Sequence, residues 1–446
     1  MFTKENIFRR FLNFNKYWVF IILSLVLFNC KSEPKKESDK NEDESQRIVL
    51  RQAGEFEQQE AVWLIWPPSN HKKGFENDSV TLKIIESISK HTKVIVTTQN
   101  DSLYKNASQK IPRTLQNKGK VEIHLVASEE LWIRDMGPNF VELSNGKKGI
   151  VDFNFDAWGY TPHDQMDEYT TTMEKYDELI AEKLGLELIS TNIYSEGGDR
   201  EVNGKGTLML VEAVELNRNP EKTKQELEAE FKRVLGVTNI IWLKEGVYED
   251  EQTFRGPIEI ENNQKAYTAV TTGGHIDEFA RFANENTILL AEVPNEDLND
   301  PIAAENKKRL EINYNILKNA KDQNGKPFKI MRVPTPKTIL HTMGPEDPVY
   351  NYISTLSYTD GSTFPKGDSV TVVAASSYLN FLISNNCVVG QKYWKEGMDL
   401  TIKKRDEEVK EILQSVFPKR EILMIDPMSI NLGGGGVHCI TMNQPK

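Results

Sequence analysis

The sequence predicts an α/β protein whose mass lies mostly in one large domain, from the alternation of short β-branched runs with amphipathic helical stretches. Five polar clusters spread along the chain, four of them bearing glycine, add a second feature, the mark of a five-module ring. The third observation is negative: no Pro/Gly-rich linker interrupts residues 51–446. Hydrophobic residues make up 38% of the 446-residue chain, enough for a substantial core, which excludes wholesale disorder.

Strands are expected at Val94–Thr98, Val121–Val126, Thr207–Val211, Thr287–Glu292, Ser369–Ala375 and Glu421–Ile425, each rich in β-branched or aliphatic residues. Helices are expected at Asp78–Lys90, Asp167–Leu184, Pro220–Leu235, Pro301–Ala320 and Leu400–Phe417. In the last of these, apolar residues recur three and four apart, as one buried face requires.

Ahead of the domain, Lys4, Arg9, Arg10 and Lys16 precede the apolar run Tyr17–Phe28, which ends at Asn29-Cys30. A basic start and an apolar stretch too short to span a bilayer comfortably read as a secretory signal over residues 1–30. Cys30, directly after the apolar run, resembles the lipidated cysteine of a bacterial lipobox. Residues 31–50, charged and without aromatics, read as a solvated tether. The expected location is the cell envelope, lipid-anchored in the periplasm or on the outer membrane face, with the lipid as the only membrane contact.

The formal net charge of −11 argues against nucleic-acid binding, since no Lys/Arg excess exists to displace phosphate counterions. It suits a cationic substrate. Of the three cysteines, Cys387 lies in an apolar strand-like run and reads as core. Cys439 closes L-G-G-G-G-V-H-C, where glycines permit close backbone approach and offer N–H groups for charge stabilisation. Taken alone, that run could equally be a flexible turn beside a buried thiol, or Cys439 could pair with Cys387 in a disulfide.

The other clusters are W-I-R-D-M-G-P (Trp132 to Pro138), E-G-G-D (Glu196 to Asp199), G-G-H-I-D (Gly273 to Asp277) and S-Y-L-N (Ser377 to Asn380). Asp135, Glu196, His275, Asn380 and Cys439 follow one another at intervals of 61, 79, 105 and 59 residues. In an extended segment His275 and Asp277 point the same way, so that the carboxylate can orient the imidazole while the imidazole moves protons. Each cluster alone is also compatible with an ordinary polar turn. A nucleophilic cysteine, a histidine and two carboxylates together suit a planar cationic electrophile, a guanidinium.

These motifs, in this order, resemble the agmatine deiminases and bacterial-type peptidylarginine deiminases of the guanidine-modifying (pentein) superfamily. The likeness runs from E-F-E-Q-Q-E-A-V-W-L-I-W-P (Glu55 to Pro67) to G-G-G-G-V-H-C-I-T-M-N-Q-P (Gly433 to Pro445). The resemblance implies a five-bladed α/β propeller and a catalytic set of Cys439 as nucleophile, His275 as acid/base, Asp135 and Asp277 gripping the guanidinium, and Glu196 supporting the histidine. It further implies Trp132, Asn380, Arg134 and Gly436 as substrate-binding residues, and no Cys387–Cys439 disulfide, which would consume the nucleophile. It implies no metal or organic cofactor, and the seven histidines show no metal-ligand spacing such as H-E-x-x-H.

The implied reaction is hydrolytic deimination, of agmatine to N-carbamoylputrescine and ammonia or, alternatively, of arginine residues to citrulline in a peptide. A non-catalytic envelope binding module is the alternative of a different class. The sequence departs from agmatine deiminases at Asp199-Arg200, where a neutral pair is usual, at Glu278 for Asn and at Asn443 for Gln. Arg200 is expected either to pair with Asp199 or Glu201 on the surface or to meet a carboxylate-bearing substrate. The segment Asn154–Asp164 lies where relatives contact the far end of the substrate.

Overall fold

The computed structural model describes residues 48–70 and 74–446, and from residue 48 onward they belong to one compact unit. The expected signal peptide, Cys30 and nearly all of the tether lie outside the described residues. The tether's expected end is two residues late. Val49–Arg51 already forms an edge strand, antiparallel to Asn139–Leu143.

One strand arrangement recurs five times. A first strand pairs antiparallel with a second, and the second pairs parallel with a third. The sets are Asn139–Leu143, Lys148–Asn154, Glu187–Tyr194; Glu201–Val202, Thr207–Val211, Asn239–Leu243; and Ala280–Asn284, Thr287–Glu292, Lys329–Pro334. Leu382–Ile383, Cys387–Gln391 and Glu421–Ile425 form the fourth. The fifth joins segments far apart in the sequence, with Met442–Pro445 antiparallel to Gln59–Ile65, and Gln59–Ile65 parallel to Lys93–Thr98. Val121–Leu125 extends that last sheet, and a further small sheet holds Ile258–Ile260, Gln264–Thr268, Val370–Val373 and Leu340–Met343.

A parallel pair needs a crossover, and helices supply it. They are Glu168–Glu174 with Tyr176–Leu184, Glu212–Arg218 with Lys224–Leu235, Pro301–Asn319, Leu400–Val416 and Asn77–Ile88. The expected helix at Asp167–Leu184 is two helices meeting at Lys175. Its first turns carry Thr170, Thr171 and Thr172, β-branched residues with restricted helical rotamers. The expected helix from Pro220 starts at Lys224, where Thr223 and Glu226 form a reciprocal capping box. The expected strand at Ser369–Ala375 is shorter, Val370–Val373, and lies in the small sheet outside the five modules.

Apolar residues of the strands and crossover helices pack together as the core. One cluster gathers Val62, Leu64, Val94 and Val96 with Ile84, Ile85 and Ile88 of the crossover helix, and also takes in Cys387 and Val389 of the fourth module. Cys387 and Cys439 are both free thiols. Burial, with Glu421 nearby, pushes the Cys387 thiol up to about 12, consistent with an inert core residue.

Each polar cluster follows a strand in chain order, respectively Val121–Leu125, Glu187–Tyr194, Gln264–Thr268, Val370–Val373 and Glu421–Ile425. Each also lies just ahead of the first strand of a module: Asp135 before Asn139–Leu143, Glu196 before Glu201–Val202, Asp277 before Ala280–Asn284, Asn380 before Leu382–Ile383 and Cys439 before Met442–Pro445. Arg281 fastens several of these starts together. Its guanidinium donates to Glu201, to Glu55 Oε2 (2.9 Å), and to the carbonyls of Leu379 (3.1 Å) and Phe381 (2.7 Å).

Arg281→Ala strands Glu201 in the interior without its cation and leaves Glu55 only the more distant Arg134 at 3.6 Å, with an expected loss of about 3–5 kcal/mol. The readout is the urea midpoint of residues 47–446 followed by near-ultraviolet circular dichroism, and an unchanged midpoint would contradict this role.

Candidate active site

Cys439 lies in the loop between the helix Met428–Gly433 and the strand Met442–Pro445. The loop can take its path only with glycines. Gly434 has φ +116°, and a Cβ there would lie 1.7 Å from the Val270 carbonyl oxygen. A Cβ on Gly436 would lie 2.4 Å from Asn380 Oδ1. The close approach lets the Gly436 N–H donate to Cys439 Sγ at 3.3 Å, beside Asn380 Nδ2 at 3.1 Å. Two donors thus face the sulfur. Trp132 is partly buried, and its ring and the sulfur flank the same glycine, Gly435.

Carboxylates crowd the other side. Asp277 Oδ2 is 3.7 Å and Glu278 Oε1 4.0 Å from the sulfur. Burial, reinforced by Asp277, Glu278 and Asp135, pushes the Cys439 thiol well above its ordinary range. The unliganded protein therefore holds a thiol, not a thiolate.

His275 Nε2 lies 3.4 Å from Glu196 Oε2, and Nδ1 lies 3.6 Å from Asp135 Oδ1. Its backbone N–H donates to Asp250 Oδ2 at 3.0 Å. Burial opposes a charged imidazole, yet Asp135, Glu196 and Asp199 overcome it and raise His275 to about 10. Glu196 is also buried, but the Arg218 guanidinium, donating from Nε at 2.7 Å, and His275 hold it at about 2.

Asp135 is fixed by two donors, the Gly198 N–H to Oδ1 (2.9 Å) and Trp158 Nε1 to Oδ2 (2.8 Å). Trp158 and Ala157 both have positive φ, 59° and 54°, a conformation that non-glycine residues hold only where their surroundings enforce it. Gln252 Nε2 donates to the Trp158 carbonyl at 2.9 Å, and the Trp158 ring packs edge-on against Phe155. The Asn154–Asp164 segment thereby orients Asp135. Asp277 is held through Oδ2 by His438 Nδ1 at 2.7 Å, while its Oδ1 is buried without a hydrogen-bond partner, as is His275 Nδ1. Burial raises Asp277, but His438, His275 and Arg281 outweigh it and keep the group below its ordinary value.

The structure therefore brings Cys439, His275, Asp135, Asp277, Glu196, Asn380, Trp132 and Gly436 together. Arg134 differs from expectation. Its side chain donates to Asn443 Oδ1 (2.9 Å), the His438 carbonyl (3.4 Å) and Met442 Sδ (3.7 Å), bracing the C-terminal strand, and its N–H donates to the Cys439 carbonyl. Its Nη2 also lies 3.6 Å from Glu55 Oε2, but none of its hydrogen bonds reaches Asp135, Asp277 or Glu196. Arg200 also differs. It is not a surface residue, and it bonds neither Asp199 nor Glu201; it donates to the Ser195 carbonyl and Asn139 Oδ1 and stacks on Phe153.

Sequence reasoning missed Arg218, His438 and Glu55. His438 Nε2 lies 2.7 Å from Glu55 Oε2, so this imidazole bridges Glu55 to Asp277. Its place beside Cys439 in the chain was the available signal. Among the described residues, Asp277, Glu278 and Cys439 could offer a metal three donor atoms within 4.8 Å of one another, but an ion there would occupy the sulfur.

A buried thiol between two donors, four buried carboxyls and an imidazole define a class, a cysteine-centred site for a small planar cation. The sequence profile of the Porphyromonas-type peptidyl-arginine deiminases matches residues 51–256 and 258–445. The chain belongs to that family. It is 28% identical over 406 residues to the agmatine deiminase of Pseudomonas aeruginosa, covering 89% of this chain and 95% of the relative. It is equally 28% identical, over 407 residues, to that of Pseudomonas fluorescens, covering 88% and 94%. The structure of the Enterococcus faecalis agmatine deiminase superposes with a TM-score of 0.67 at 25% identity, covering 90% of this chain and 96% of that one.

The raised thiol makes a kinetic expectation. Iodoacetamide modification of Cys439 in the unliganded protein, followed by peptide mass spectrometry, is slow at neutral pH and still accelerates above about pH 9. A rate that levels off below about pH 8 would show an acidic thiol instead.

Proposed function

We propose that the protein is a hydrolase of C–N bonds that deiminates agmatine to N-carbamoylputrescine and ammonia through a thiouronium intermediate on Cys439. The observation that carries this is the pairing of Asp135 with the unpartnered Asp277 Oδ1 around a thiol whose own carboxylate neighbours keep it protonated. A guanidinium between the two aspartates compensates that negative field and lets the sulfur ionise. Asn380 Nδ2 and the Gly436 N–H then stabilise the thiolate.

The thiolate adds to the guanidinium carbon, forming a C–S bond. His275, already protonated, gives its proton to the departing nitrogen as the C–N bond breaks, and ammonia leaves. The neutral imidazole then takes a proton from water, whose oxygen adds to the thiouronium carbon. Collapse breaks the C–S bond and yields the ureido product with Cys439 restored. Glu196, held ionised by Arg218, keeps the imidazole in place through both halves.

Burial of the site favours a small linear guanidine over an arginine within a polypeptide, since Cys439 is only 4% exposed. We read the five modules as the blades of a propeller whose first-strand starts converge on Cys439. Lys4, Arg9, Arg10, Lys16, the apolar run Tyr17–Phe28 and Cys30 support export to the envelope with a lipid on Cys30.

The test is ammonia release from agmatine, free arginine and a peptide ending in arginine. Agmatine is expected to be the preferred substrate, and Cys439→Ala to lose about 1000-fold or more. Preference for the peptide would move the assignment to peptidylarginine, and release from none of the three would refute deimination.

A further inference from the structure

The thiol proton needs an acceptor, and the residue usually given that task is unsuited to it here. His275 already carries a proton at neutral pH, so its ring has no free nitrogen to receive one. Two carboxyl oxygens lie within reach of Cys439 Sγ. Asp277 Oδ2 is engaged with His438, and Asp277 is held low, which makes it a poor acceptor. The other is Glu278 Oε1.

Glu278 is buried on the turn Ile276–Glu278, directly after Asp277. Asn380 Nδ2 donates both to Cys439 Sγ (3.1 Å) and to Glu278 Oε1 (2.9 Å), so one amide group holds sulfur and carboxyl in register. Glu278 also has an outlet. With Glu249, Asn306, Ser377 and Tyr378 it lines a cavity beside the site, and Asn306 Nδ2 donates to Glu249 Oε2 at 2.6 Å.

We propose that Glu278 is a further catalytic residue, which takes the Cys439 thiol proton at Oε1 and delivers it through the Glu249-lined cavity to solvent. The groups facing it are Asp277 and His275 on its own turn, Glu249 and Asp250 on the neighbouring turn, Cys439, and the Tyr393 hydroxyl. Burial and the surrounding carboxylates raise Glu278 well above an ordinary glutamate, and burial raises Glu249 to about 6. At rest both the thiol and Glu278 hold protons. Arrival of the substrate cation favours their loss: Glu278 releases its proton to water in the cavity, the S–H bond then breaks with its proton moving to Oε1, and the electron pair stays on sulfur. One proton leaves for solvent and no other reactant is needed.

This inference rests on the proposed deimination, and its test separates the two. Glu278→Gln keeps the size and can still accept the Asn380 hydrogen bond, but it cannot take a proton. Agmatine turnover by the variant is expected to fall about tenfold in kcat near neutral pH with KM within about threefold. The deficit closes above about pH 9, where bulk solvent can take the thiol proton directly. Glu278→Asp, with a carboxyl on a shorter arm, is expected to lie between the two, and decides the matter if Glu278→Gln does not fold.

Wild-type kcat in Glu278→Gln, or a loss that is constant with pH and falls mainly in KM, would overturn the relay. Inactivation by a haloacetamidine, a cationic electrophile that needs the Cys439 thiolate but no hydrolysis, is measured in parallel. If the wild-type protein releases no ammonia from any guanidine, the proposed function fails. Slower inactivation of Glu278→Gln near neutral pH, recovering at high pH, would still establish the relay, and equal inactivation at every pH would refute it.

Discussion

The buried guanidinium of Arg281 is the interaction on which the rest of the structure depends. It reaches Glu201 at the start of the second module, the Leu379 and Phe381 carbonyls ahead of the fourth, and Glu55 near the N-terminal strand of the fifth. All three nitrogens of this side chain donate, and its planar face lies over Phe381. A buried cation is costly unless fully paired, so the arrangement tolerates little drift of the elements that supply its partners. Glu55 passes the constraint on through His438 to Asp277. The orientation of a carboxylate at the reactive sulfur thus depends on a guanidinium that does not contact that sulfur.

The second organising fact is an excess of buried negative charge around a neutral thiol. Asp135, Asp277, Asp250 and Glu196 surround His275 and Cys439, with Arg218 the cation paired to Glu196. Such a cluster is unfavourable while empty and becomes favourable when a cation enters, so the field that protonates Cys439 at rest also recruits its substrate. The scaffold bears this strain in identifiable places, including the positive φ values of Ala157 and Trp158 behind Asp135. Selectivity for a cation and suppression of idle thiol reactivity then have one cause.

The sequence disclosed the site better than the fold. Cys439, His275, Asp135, Asp277 and Glu196 each stand in a glycine-bearing motif, and close backbone approach leaves that mark in a sequence. Two of the second strands, Thr207–Val211 and Thr287–Glu292, were legible because they are continuous apolar runs, whereas Lys148–Asn154, broken by Asp152, was not. The first strands were not, because Glu201–Val202 and Leu382–Ile383 are too short to show any period. Arg134 and Arg200 misled because a charged residue beside a motif looks available, whereas both are buried and spent on Asn443 and Asn139. Glu55 lies 383 residues from His438, and no local pattern reveals a partner at that distance.

A separation of the same size marks the strand pair that follows the nucleophile. Met442–Pro445 is the first strand of the fifth module, and its partner Gln59–Ile65 comes from near the beginning of the described chain. Trp63 Nε1 donates to Gln444 Oε1 at 2.8 Å and Lys148 Nζ to the Pro445 carbonyl at 2.6 Å, so the final residues are held by side chains from two modules. Joining two such distant segments costs loop entropy, which local contacts within each module do not incur. Cys439, three residues ahead of the closing strand, therefore reaches its donors and carboxylates only when the fifth sheet is complete. A partly assembled chain would present a loose thiol without its acidic surround. Tying the nucleophile to that strand pair makes completion of the active site and completion of the fifth sheet the same event.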